Sequence, residues 1–352
     1  MEKFQTAAFT GISQIEYTEC IIPELTGNQV LLKIDACAVC TWEQRVYAGK
    51  KEISYPFIGG HEIAGTIVKL GPEANVQELE EGDRVVAGVM IPCRNCRNCK
   101  NGNQQNCLHY DFEKKGKGLP YNGFGGFSEY LVVPDYCCFK YENISESEAA
   151  LIEPLSCVIH SIETADIQLG DTVLVIGGGI MGLLHAAVAV KKGAVVIVSD
   201  HHEERLNLAK QLGASYTVNP YEQNLEDYVD SVTGGNKAGI VIDTTPSAAV
   251  LKDCFSCVAA AGKIVLYSSI APAAPVSFDP NWIHAKGIRI LGTANSNERD
   301  YERACRLASQ GIIDLKPFIS DEYPFSQLEE ALKASAQGKK FRIVVKFQEE
   351  LE

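Results

Sequence analysis

Apolar and polar residues alternate with two different periods along this chain, and the change of period divides it into two parts. Up to about residue 156, short alternating runs such as residues 30–34 are separated by turn residues such as Gly27. Residues 85–90 and 130–133 are further runs of this kind. Alternation over a few residues between turns is typical of β-strands. Many short strands with glycine turns predict a barrel-like β domain.

From about residue 157 onward, predicted strands alternate with predicted helices. Residues 172–176 form an apolar run, an apolar helical stretch continues to Lys192, and residues 195–199 form the next run. Later apolar runs occupy residues 239–243, 263–267 and 288–292. Strands that alternate with helices predict βαβ units and a doubly wound parallel sheet. The predicted fold class is therefore α/β, with a β-barrel domain beside a Rossmann-type parallel-sheet domain.

The end of the chain leaves this alternation. Residues 299–310 and 326–332 have helical spacing, and residues 341–347 have the pattern of a strand. Because these elements do not extend the parallel sheet, we expect the chain to return to its first domain. The predicted domains are residues 1–156 with 293–352, and residues 157–292.

Length, charge and cysteine content narrow the class of protein. A chain of 352 residues exceeds one ordinary core, which agrees with two domains. The net charge of −13 argues against nucleic acid or an anionic membrane as a partner. Residues 173–190 carry no charge, but glycines at 177–179 split the run, so we predict no membrane span. Thirteen cysteines without a visible secretory signal predict reduced thiols, a cytoplasmic location and metal binding.

Four of the cysteines are regularly spaced. They follow the pattern C-x2-C-x2-C-x7-C, within a predicted lobe at about residues 93–107, and they are Cys93, Cys96, Cys99 and Cys107. Four thiolates at this spacing can close a tetrahedral shell around a structural zinc ion. The polar loop between them has almost no core-forming residues, so it has no reason to fold without the metal. An iron–sulfur cluster or unconnected surface cysteines are the alternatives.

A second group of metal-ligand types is spread over the first domain. His61 and Glu62 lie between glycines at 60 and 65, with Cys40 upstream and Glu153 far downstream. Imidazole, thiolate and carboxylate are zinc ligands, and three protein ligands with one open position characterise a catalytic zinc. The alternative is a buried, hydrogen-bonded histidine on a turn.

A glycine motif follows the first predicted strand of the second domain. Its G-x-G-x-x-G glycines are Gly177, Gly179 and Gly182, with Ile180 and Met181 between the last two. Placed between a strand and a helix, this motif predicts a dinucleotide site. The glycines allow a tight turn, approach of the pyrophosphate and close helix packing. The free N–H groups of the helix N-terminus bind the phosphates.

Residues at the ends of the later strands complete the predicted cofactor site. Asp200 ends the second strand, where a carboxylate accepts hydrogen bonds from ribose hydroxyls and repels a 2′-phosphate, so NAD is favoured over NADP. Arg205 is either a surface arginine or a contact at the ribose edge. Ligands bind at the carboxyl ends of parallel strands, which adds Thr244, Ser268 and Asn295 as candidates.

Taken together, these motifs resemble one known family over essentially the whole chain. The chain is similar to zinc-containing medium-chain dehydrogenases/reductases of the alcohol dehydrogenase superfamily, and most to the sorbitol (L-iditol) and threonine dehydrogenase branch. The similarity rests on both zinc motifs, the cofactor glycines and the segments 82–85, 125–130 and 153–156. It implies a GroES-like catalytic domain built from both chain ends, an inserted Rossmann domain, two zinc ions per chain and a homodimer or homotetramer.

The resemblance also assigns roles. It implies that Cys40, His61 and a carboxylate, either Glu62 or Glu153, hold the catalytic zinc, and that Glu43 hydrogen-bonds the zinc histidine. The metal lowers the pKa of a secondary alcohol or polyol, and the carbon passes a hydride to NAD. The reverse reaction reduces a ketone or an aldehyde.

The chain departs from this family at two positions beside the first zinc cysteine. Most relatives carry Ser or Thr where this chain has Trp42, so Tyr47, Thr41 or water must replace the usual proton relay. Arg45 stands where histidine is common, and its planar fork suits an anionic group of the substrate or the cofactor pyrophosphate. A surface arginine paired with an acid is the other interpretation of Arg45.

Two alternative functions follow from these departures. One is a reductase or dehydrogenase of a short phosphorylated, sulfonated or carboxylated alcohol. The other is a non-catalytic nucleotide-binding relative, for which the altered relay position is the support.

Overall fold

Two compact units make up the chain. One contains Met1–Ser156 and Ser296–Glu352, and the other contains Cys157–Asn295. The computed structural model describes residues 2–270, 272–338 and 340–347. Residues 1, 271, 339 and 348–352 lie outside this part, and six of them belong to the segment 293–352 that we predicted to return to the first domain.

Strands predominate in the first unit, whereas strands and helices alternate in the second. The strands are β1 (Lys3–Gly11), β2 (Gln14–Ile21), β3 (Gln29–Ala38), β4 (Phe57–Ile58), β5 (Glu62–Leu70), β6 (Arg84–Ala87), β7 (Asn122–Gly123), β8 (Tyr130–Pro134), β9 (Cys138–Lys140), β10 (Thr172–Ile176), β11 (Val195–Ser199), β12 (Tyr216–Val218), β13 (Ala238–Asp243), β14 (Val258–Leu266), β15 (Arg289–Gly292), β16 (Ile319–Pro324) and β17 (Arg342–Lys346). The helices are α1 (Thr41–Tyr47), α2 (Arg97–Lys100), α3 (Glu146–Ala150), α4 (Ile152–Ala165), α5 (Ile180–Lys191), α6 (Glu203–Gln211), α7 (Leu225–Thr233), α8 (Leu251–Cys257), α9 (Pro280–Lys286), α10 (Glu298–Ser309) and α11 (Leu328–Ser335).

The first unit is built on two β-sheets. The smaller has the order β2-β1-β4-β7, and the larger has the order β16-β17-β3-β5-β6-β9, with β8 also paired to β3. Strand β17, the last strand among the described residues, pairs antiparallel with β3, so this part of the chain belongs to the first unit. Large side chains such as Phe9, Phe57 and Phe127 are fully buried between these elements.

A contact between two backbone segments fixes the start of β5. Gly126 N donates to Gly60 O at 3.0 Å, and Phe127 N donates to Gly59 O at 3.0 Å. Gly60 has a φ of +84°, and a Cβ there would come within 2.8 Å of Gly126 C and Phe127 N. Only glycine accommodates this conformation and this approach. The contact therefore places His61, the next residue, at a defined point beside the sheet.

The second unit is a parallel sheet in the order β12-β11-β10-β13-β14-β15. All of its neighbouring strands pair in parallel. Buried strands of Val, Ile and Leu, such as β10, are expected where helices cover both faces. At Gly182, a Cβ would lie 1.8 Å from Gly177 O, so this glycine lets α5 approach the end of β10 closely.

The observed elements confirm the predicted fold class, an α/β chain with a β unit and a doubly wound parallel sheet. They differ from the predictions in detail. The predicted strand 263–267 begins earlier, because β14 already pairs at Val258 with Ala238, before an irregularity that ends at Ile240. Apolar alternation does not reveal such an irregularity. Among the described residues, no helix combines the length and apolarity needed to cross a membrane.

His185 is the buried titratable group at the centre of α5. It is fully buried, its Nδ1 donates to Met181 O at 2.7 Å, and its ring packs edge-on against Tyr267. Burial lowers the pKa of His185 to about 4, although the hydrogen bond to Met181 opposes this shift. The helix therefore holds a neutral histidine as a packing residue.

This burial predicts a loss of stability in weak acid. The unfolded chain takes up a proton near pH 6.5, whereas the folded His185 does so only near its lower pKa. Stability present above pH 6.5 is therefore lost as the pH falls toward 4. We expect wild type to lose about 2 kcal/mol more than His185→Leu between pH 7 and pH 5. Thermal unfolding of both proteins at the two pH values measures this difference, and parallel losses would contradict it.

Candidate functional site

The four regularly spaced cysteines converge in one lobe. Their sulfur atoms all lie within 4.8 Å of one another. The Sγ atoms of Cys96 and Cys99 are 3.4 Å apart, and those of Cys93 and Cys99 are 4.0 Å apart. A tetrahedral zinc with four sulfur ligands separates them by about 3.8 Å. The donor set and its size therefore fit a structural zinc ion.

Backbone N–H groups point at the sulfur atoms of this lobe. Cys96 N donates to Cys93 Sγ at 3.3 Å, and His109 N donates to Cys107 Sγ at 3.4 Å. Backbone N–H groups of Cys99 and Leu108 lower the pKa of Cys96 to about 6. Burial opposes the same effect at Cys107, but backbone donors lower its pKa too. Thiolates, the form that binds zinc, are thus favoured at both positions.

Arg94 connects this lobe to the body of the first unit. Arg94 donates through Nε and Nη2 to the two carboxylate oxygens of Glu298, at 2.8 and 2.5 Å. Its guanidinium also lies 3.6 Å from the ring centre of Tyr136. This planar fork orients the lobe against the first turn of α10.

The residues of the second predicted metal site also lie close together. Cys40 precedes α1, His61 precedes β5, and Glu62 is the first residue of β5. One donor atom from each lies within 4.8 Å of the others. This brings a thiol, an imidazole and a carboxylate from two separate segments to one point, which fits a zinc site with three protein ligands.

Glu43 fixes the orientation of the histidine. It is fully buried, and its Oε1 lies 2.7 Å from His61 Nδ1 and accepts from Gly60 N at 3.0 Å. With Nδ1–H donated to Glu43, Nε2 is the nitrogen that remains for a metal. This geometry supports the role predicted for Glu43, which fixes the tautomer of a metal histidine.

A residue that the sequence analysis missed completes this group. Arg342 of β17 donates from Nε to Glu62 Oε2 at 2.8 Å and from Nη2 to Glu62 Oε1 at 2.6 Å. Its Nη2 is also 3.5 Å from Cys40 Sγ. Both side chains of the ion pair are buried. Arg342 lies 280 positions from Glu62, so no local motif pointed to it.

The charges of this group shift the pKa values of its members. Burial and the charge of Glu62 raise the pKa of Cys40, while Arg342 and His61 partly lower it. Burial lowers the pKa of His61, but the charges of Glu43 and Cys40 outweigh it and raise that pKa well above its ordinary value. A site that holds anionic groups this closely in a buried position favours a divalent cation.

Glu153 is the second predicted carboxylate. It lies in the first turn of α4 and is 9% exposed. It does not belong to the group of donor atoms within 4.8 Å that Cys40, His61 and Glu62 form. Its charge nevertheless raises the pKa of Arg342 and of Tyr110. Glu153 is therefore an acidic neighbour of the site.

Trp42, at the usual relay position, and Tyr47, one of its predicted replacements, have different contacts. Trp42 packs its ring against Phe124 at 4.9 Å and against His61 at 6.3 Å between ring centres. Tyr47 is buried, and its hydroxyl donates to Glu329 Oε1 at 2.9 Å. This bond directs the Tyr47 hydroxyl to Glu329 of α11, and the relay role of Tyr47 stays a prediction. Arg45 is half-buried on α1.

The glycine turn and Asp200 form the core of the predicted cofactor site. Asp200 Oδ2 accepts from Gly178 N at 2.7 Å, and Oδ1 accepts from His202 N at 2.8 Å. Burial opposes these bonds, but they lower the pKa of Asp200 and keep it ionised. Arg205 Nη1 lies 3.5 Å from Asp200 Oδ2. A charged carboxylate is thus held at the end of β11, beside the glycine turn.

The other predicted cofactor residues surround the same strand ends. A Cβ at Gly179 would meet nothing within 4 Å, so the backbone before Ile180 and Met181 is open to a ligand. Thr244 N donates to Ile176 O, and its hydroxyl is within 3.0 Å of Gly177 O, which supports the turn. Ser268 N donates to Asp243 O, and Asn295 has a left-handed φ of 59°.

Two protein-family models and a known dehydrogenase match this chain. Residues 26–143 match the alcohol dehydrogenase GroES-like domain, and residues 181–310 match the zinc-binding dehydrogenase domain. An L-threonine 3-dehydrogenase of Yersinia pseudotuberculosis is 31% identical over 333 residues, which are 92% of this chain and 93% of that protein.

Two solved structures share the fold. The L-idonate 5-dehydrogenase of Escherichia coli K-12 is 25% identical, with a TM-score of 0.87 over 98% of this chain and 99% of that chain. An alcohol dehydrogenase of Escherichia coli CFT073, complexed with NADH, is 24% identical, with a TM-score of 0.88 over 99% and 100%.

We expect two zinc ions per chain with separable roles. Cys40→Ser removes a ligand of the open site, so the protein should stay folded, keep one zinc and lose turnover. Cys96→Ser opens the closed shell and should lower the melting temperature by on the order of 10 °C, because metal binding there is folding energy. Metal analysis and thermal unfolding of both variants measure this, and a single zinc in fully loaded wild type would contradict it.

Proposed function

The chain belongs to the zinc-binding alcohol dehydrogenase family, and we propose that it transfers a hydride between a secondary alcohol or polyol and NAD at a zinc ion held by Cys40, His61 and Glu62. The same site reduces the matching ketone or aldehyde in reverse. The observation that carries this proposal is the meeting of the three donor groups within 4.8 Å.

The residues of the site have separate roles in the proposed reaction. When bound, zinc lowers the pKa of an alcohol oxygen, and NAD accepts the hydride. Glu43 holds His61 in the tautomer that presents Nε2. Arg342 places a positive charge beside the buried side chains of Glu62 and Cys40. Each side chain is thus placed before a substrate binds, which lowers the cost of organising the site.

We assign Glu62 rather than Glu153 as the carboxylate ligand. Each Glu62 oxygen accepts one hydrogen bond from Arg342. A carboxylate oxygen has two lone pairs, so one per oxygen remains for a metal. Glu153 then acts as a neighbouring charge that helps to balance the cation.

The surroundings of His61 favour a short substrate. The rings of Trp42 and Phe124 lie beside the imidazole and present apolar surface. Such a surface suits a small carbon skeleton better than a long chain of hydroxyl groups. The related L-threonine 3-dehydrogenase is named for a short, charged hydroxy amino acid. Arg45, on the same helix as Trp42, is our candidate for an anionic end of the substrate, or for the cofactor pyrophosphate.

The setting of the enzyme follows from its family and composition. We place it in the cytoplasm, because its many free thiols persist in a reducing compartment. A homodimer or homotetramer is the assembly that the family resemblance implies, and closed symmetry is the rule for soluble homo-oligomers. A non-catalytic role is disfavoured by the complete set of donor groups around His61.

The proposed reaction is tested by a panel of substrates. Purified wild-type protein loaded with zinc should reduce NAD with one or more short secondary alcohols, polyols, hydroxy acids, hydroxy amino acids or phosphorylated alcohols, as NADH absorbance shows. If Arg45 holds the substrate, Arg45→Ala should raise KM for an anionic substrate without changing the affinity for NADH. If Arg45 holds the cofactor, the same change should lower the affinity for NADH instead. No turnover with any compound by zinc-loaded wild type would contradict the proposed function.

Cofactor choice gives a separate prediction. Because Asp200 accepts from a ribose diol and repels a phosphate, kcat/KM for NAD should exceed that for NADP by about tenfold or more. Asp200→Ser should lower this ratio, chiefly by weakening the binding of NAD. Steady-state kinetics with both cofactors on both proteins measure the effect, with Ser199→Ala as a control at the preceding residue. Faster turnover with NADP at equal low concentration would show the assignment to be wrong.

A further inference from the structure

The side chain of His202 contacts the predicted ribose site but has no role in the proposed mechanism. His202 follows Asp200 by two positions, at the N-cap of α6. Its Nδ1 lies 2.8 Å from Asp200 Oδ1, and its backbone N donates to the same oxygen at 2.8 Å. An ionised carboxylate only accepts hydrogen bonds, so Nδ1 is the donor of this pair. The imidazole is therefore bonded to the carboxylate that we assign to the ribose of the cofactor.

The chain itself uses the hydrogen-bonding capacity of Asp200. A carboxylate has about four lone-pair sites, two on each oxygen. Both sites of Oδ1 face N–H groups of His202, one from the backbone and one from the ring. Oδ2 accepts from Gly178 N at 2.7 Å and faces Arg205 Nη1 at 3.5 Å. A ribose hydroxyl can therefore bond to Asp200 only where one of these four donors gives way.

The two oxygens of Asp200 differ in how readily they can accept a ribose hydroxyl. At Oδ2 the contact with Arg205 is long, so this oxygen can accept one hydroxyl while it keeps the bond from Gly178 N. At Oδ1 the start of α6 holds the backbone donor, so the imidazole of His202 is the donor that must leave. Its side chain is 45% exposed and has room to turn away. The second hydroxyl of a ribose diol therefore binds in exchange for the bond between His202 and Asp200.

A 2′-phosphate on the ribose, as in NADP, does not require this exchange. The phosphate has replaced one of the two hydroxyls, so only one donor remains for Asp200, and Oδ2 can accept it. An arginine near the ribose accommodates a 2′-phosphate in this type of fold, and Arg205 lies 3.5 Å from Asp200. The imidazole of His202 can meanwhile stay on Oδ1. NAD therefore has to break a bond that NADP leaves intact.

We propose that His202 is a specificity-determining residue of the cofactor site, whose imidazole occupies the position on Asp200 that a ribose hydroxyl of NAD requires. This rests on the proposed function, with the adenosine ribose at Asp200. His202 acts by competition, so it weakens the binding of NAD and leaves the binding of NADP unhindered. The preference for NAD that Asp200 provides is therefore smaller than it would be without this histidine.

The competition should become stronger in weak acid. Histidine is the side chain that commonly gains a proton between pH 8 and pH 5, and an imidazolium bonds to a carboxylate about twice as strongly as a neutral donor does. The affinity for NAD should therefore fall by about threefold or more between pH 8 and pH 6. The other charged or titratable groups near the ring are Asp200 and His201 on its own segment, Glu203, Glu204 and Arg205 on α6, and Tyr221 after β12, whose ring lies 5.2 Å from that of His201.

The test measures the binding of NAD and NADP to zinc-loaded protein by calorimetry. His202→Ala keeps the backbone donor and removes the competing imidazole, so the affinity for NAD at pH 8 should rise by about 3-fold to 10-fold. The affinity for NADP should not rise, so the ratio of the two affinities should increase by about threefold or more. His202→Gln places a neutral donor at this position. It should bind NAD within about twofold of wild type at pH 8, without the further fall at pH 6.

His201→Ala is the matched control. The side chain of His201 is 47% exposed, close to the value for His202, and its Nδ1 lies 4.0 Å from the same oxygen of Asp200. That distance is too long for a hydrogen bond. The substitution therefore removes a neighbouring histidine without freeing a position on the carboxylate. Its affinities for NAD and NADP should stay within about twofold of wild type.

The outcomes separate this inference from the proposed function. If zinc-loaded wild type binds neither cofactor and has no turnover, the proposed function is overturned and the inference with it. If wild type is active but His202→Ala binds NAD no more tightly than wild type does, the inference alone is overturned. An equal gain in His201→Ala would also overturn it. A gain for NAD confined to His202→Ala, with the pH dependence lost in both His202 variants, supports it.

Discussion

The burial of several negative groups at one point is the constraint on which the first unit depends. Glu43 and Glu62 are fully buried, and Glu153 nearly so. Unpaired buried charges are strongly destabilising, so each needs a cation or several donors. Within the chain, Glu43 is hydrogen-bonded to His61 and to the backbone N–H of Gly60, and Glu62 is paired with Arg342. A divalent zinc ion held by Cys40, His61 and Glu62 would add further positive charge to this negative group.

That constraint explains much of the surrounding architecture. Glycines at 59 and 60 let the chain pack against residues 126 and 127, which fixes the position of His61 relative to Glu43. Strand β17 must lie beside β3, because Arg342 has to enter the same buried space as Cys40 and Glu62. The return of the chain to its first unit is thus a requirement of the site as well as of the sheet.

The sequence was most informative where the chemistry is local. Four cysteines in one short loop, and glycines between a strand and a helix, limit the geometry so strongly that their spacing alone predicts a metal lobe and a nucleotide turn. It was least informative where the partner comes from far along the chain. Arg342 belongs to an ordinary-looking strand, and the tie of Tyr47 to Glu329 depends on how α1 packs against α11.

The order in which the site is assembled has a consequence for the synthesis of the protein. Arg342 follows Glu62 by 280 positions. At 5–20 residues per second, a ribosome adds the arginine roughly 15 to 60 seconds after the glutamate. Until then the nascent chain lacks the counter-charge of its own carboxylate, and any copy that terminates early never receives it. We therefore expect copies that end before residue 342 to bind zinc less tightly than copies that include this arginine.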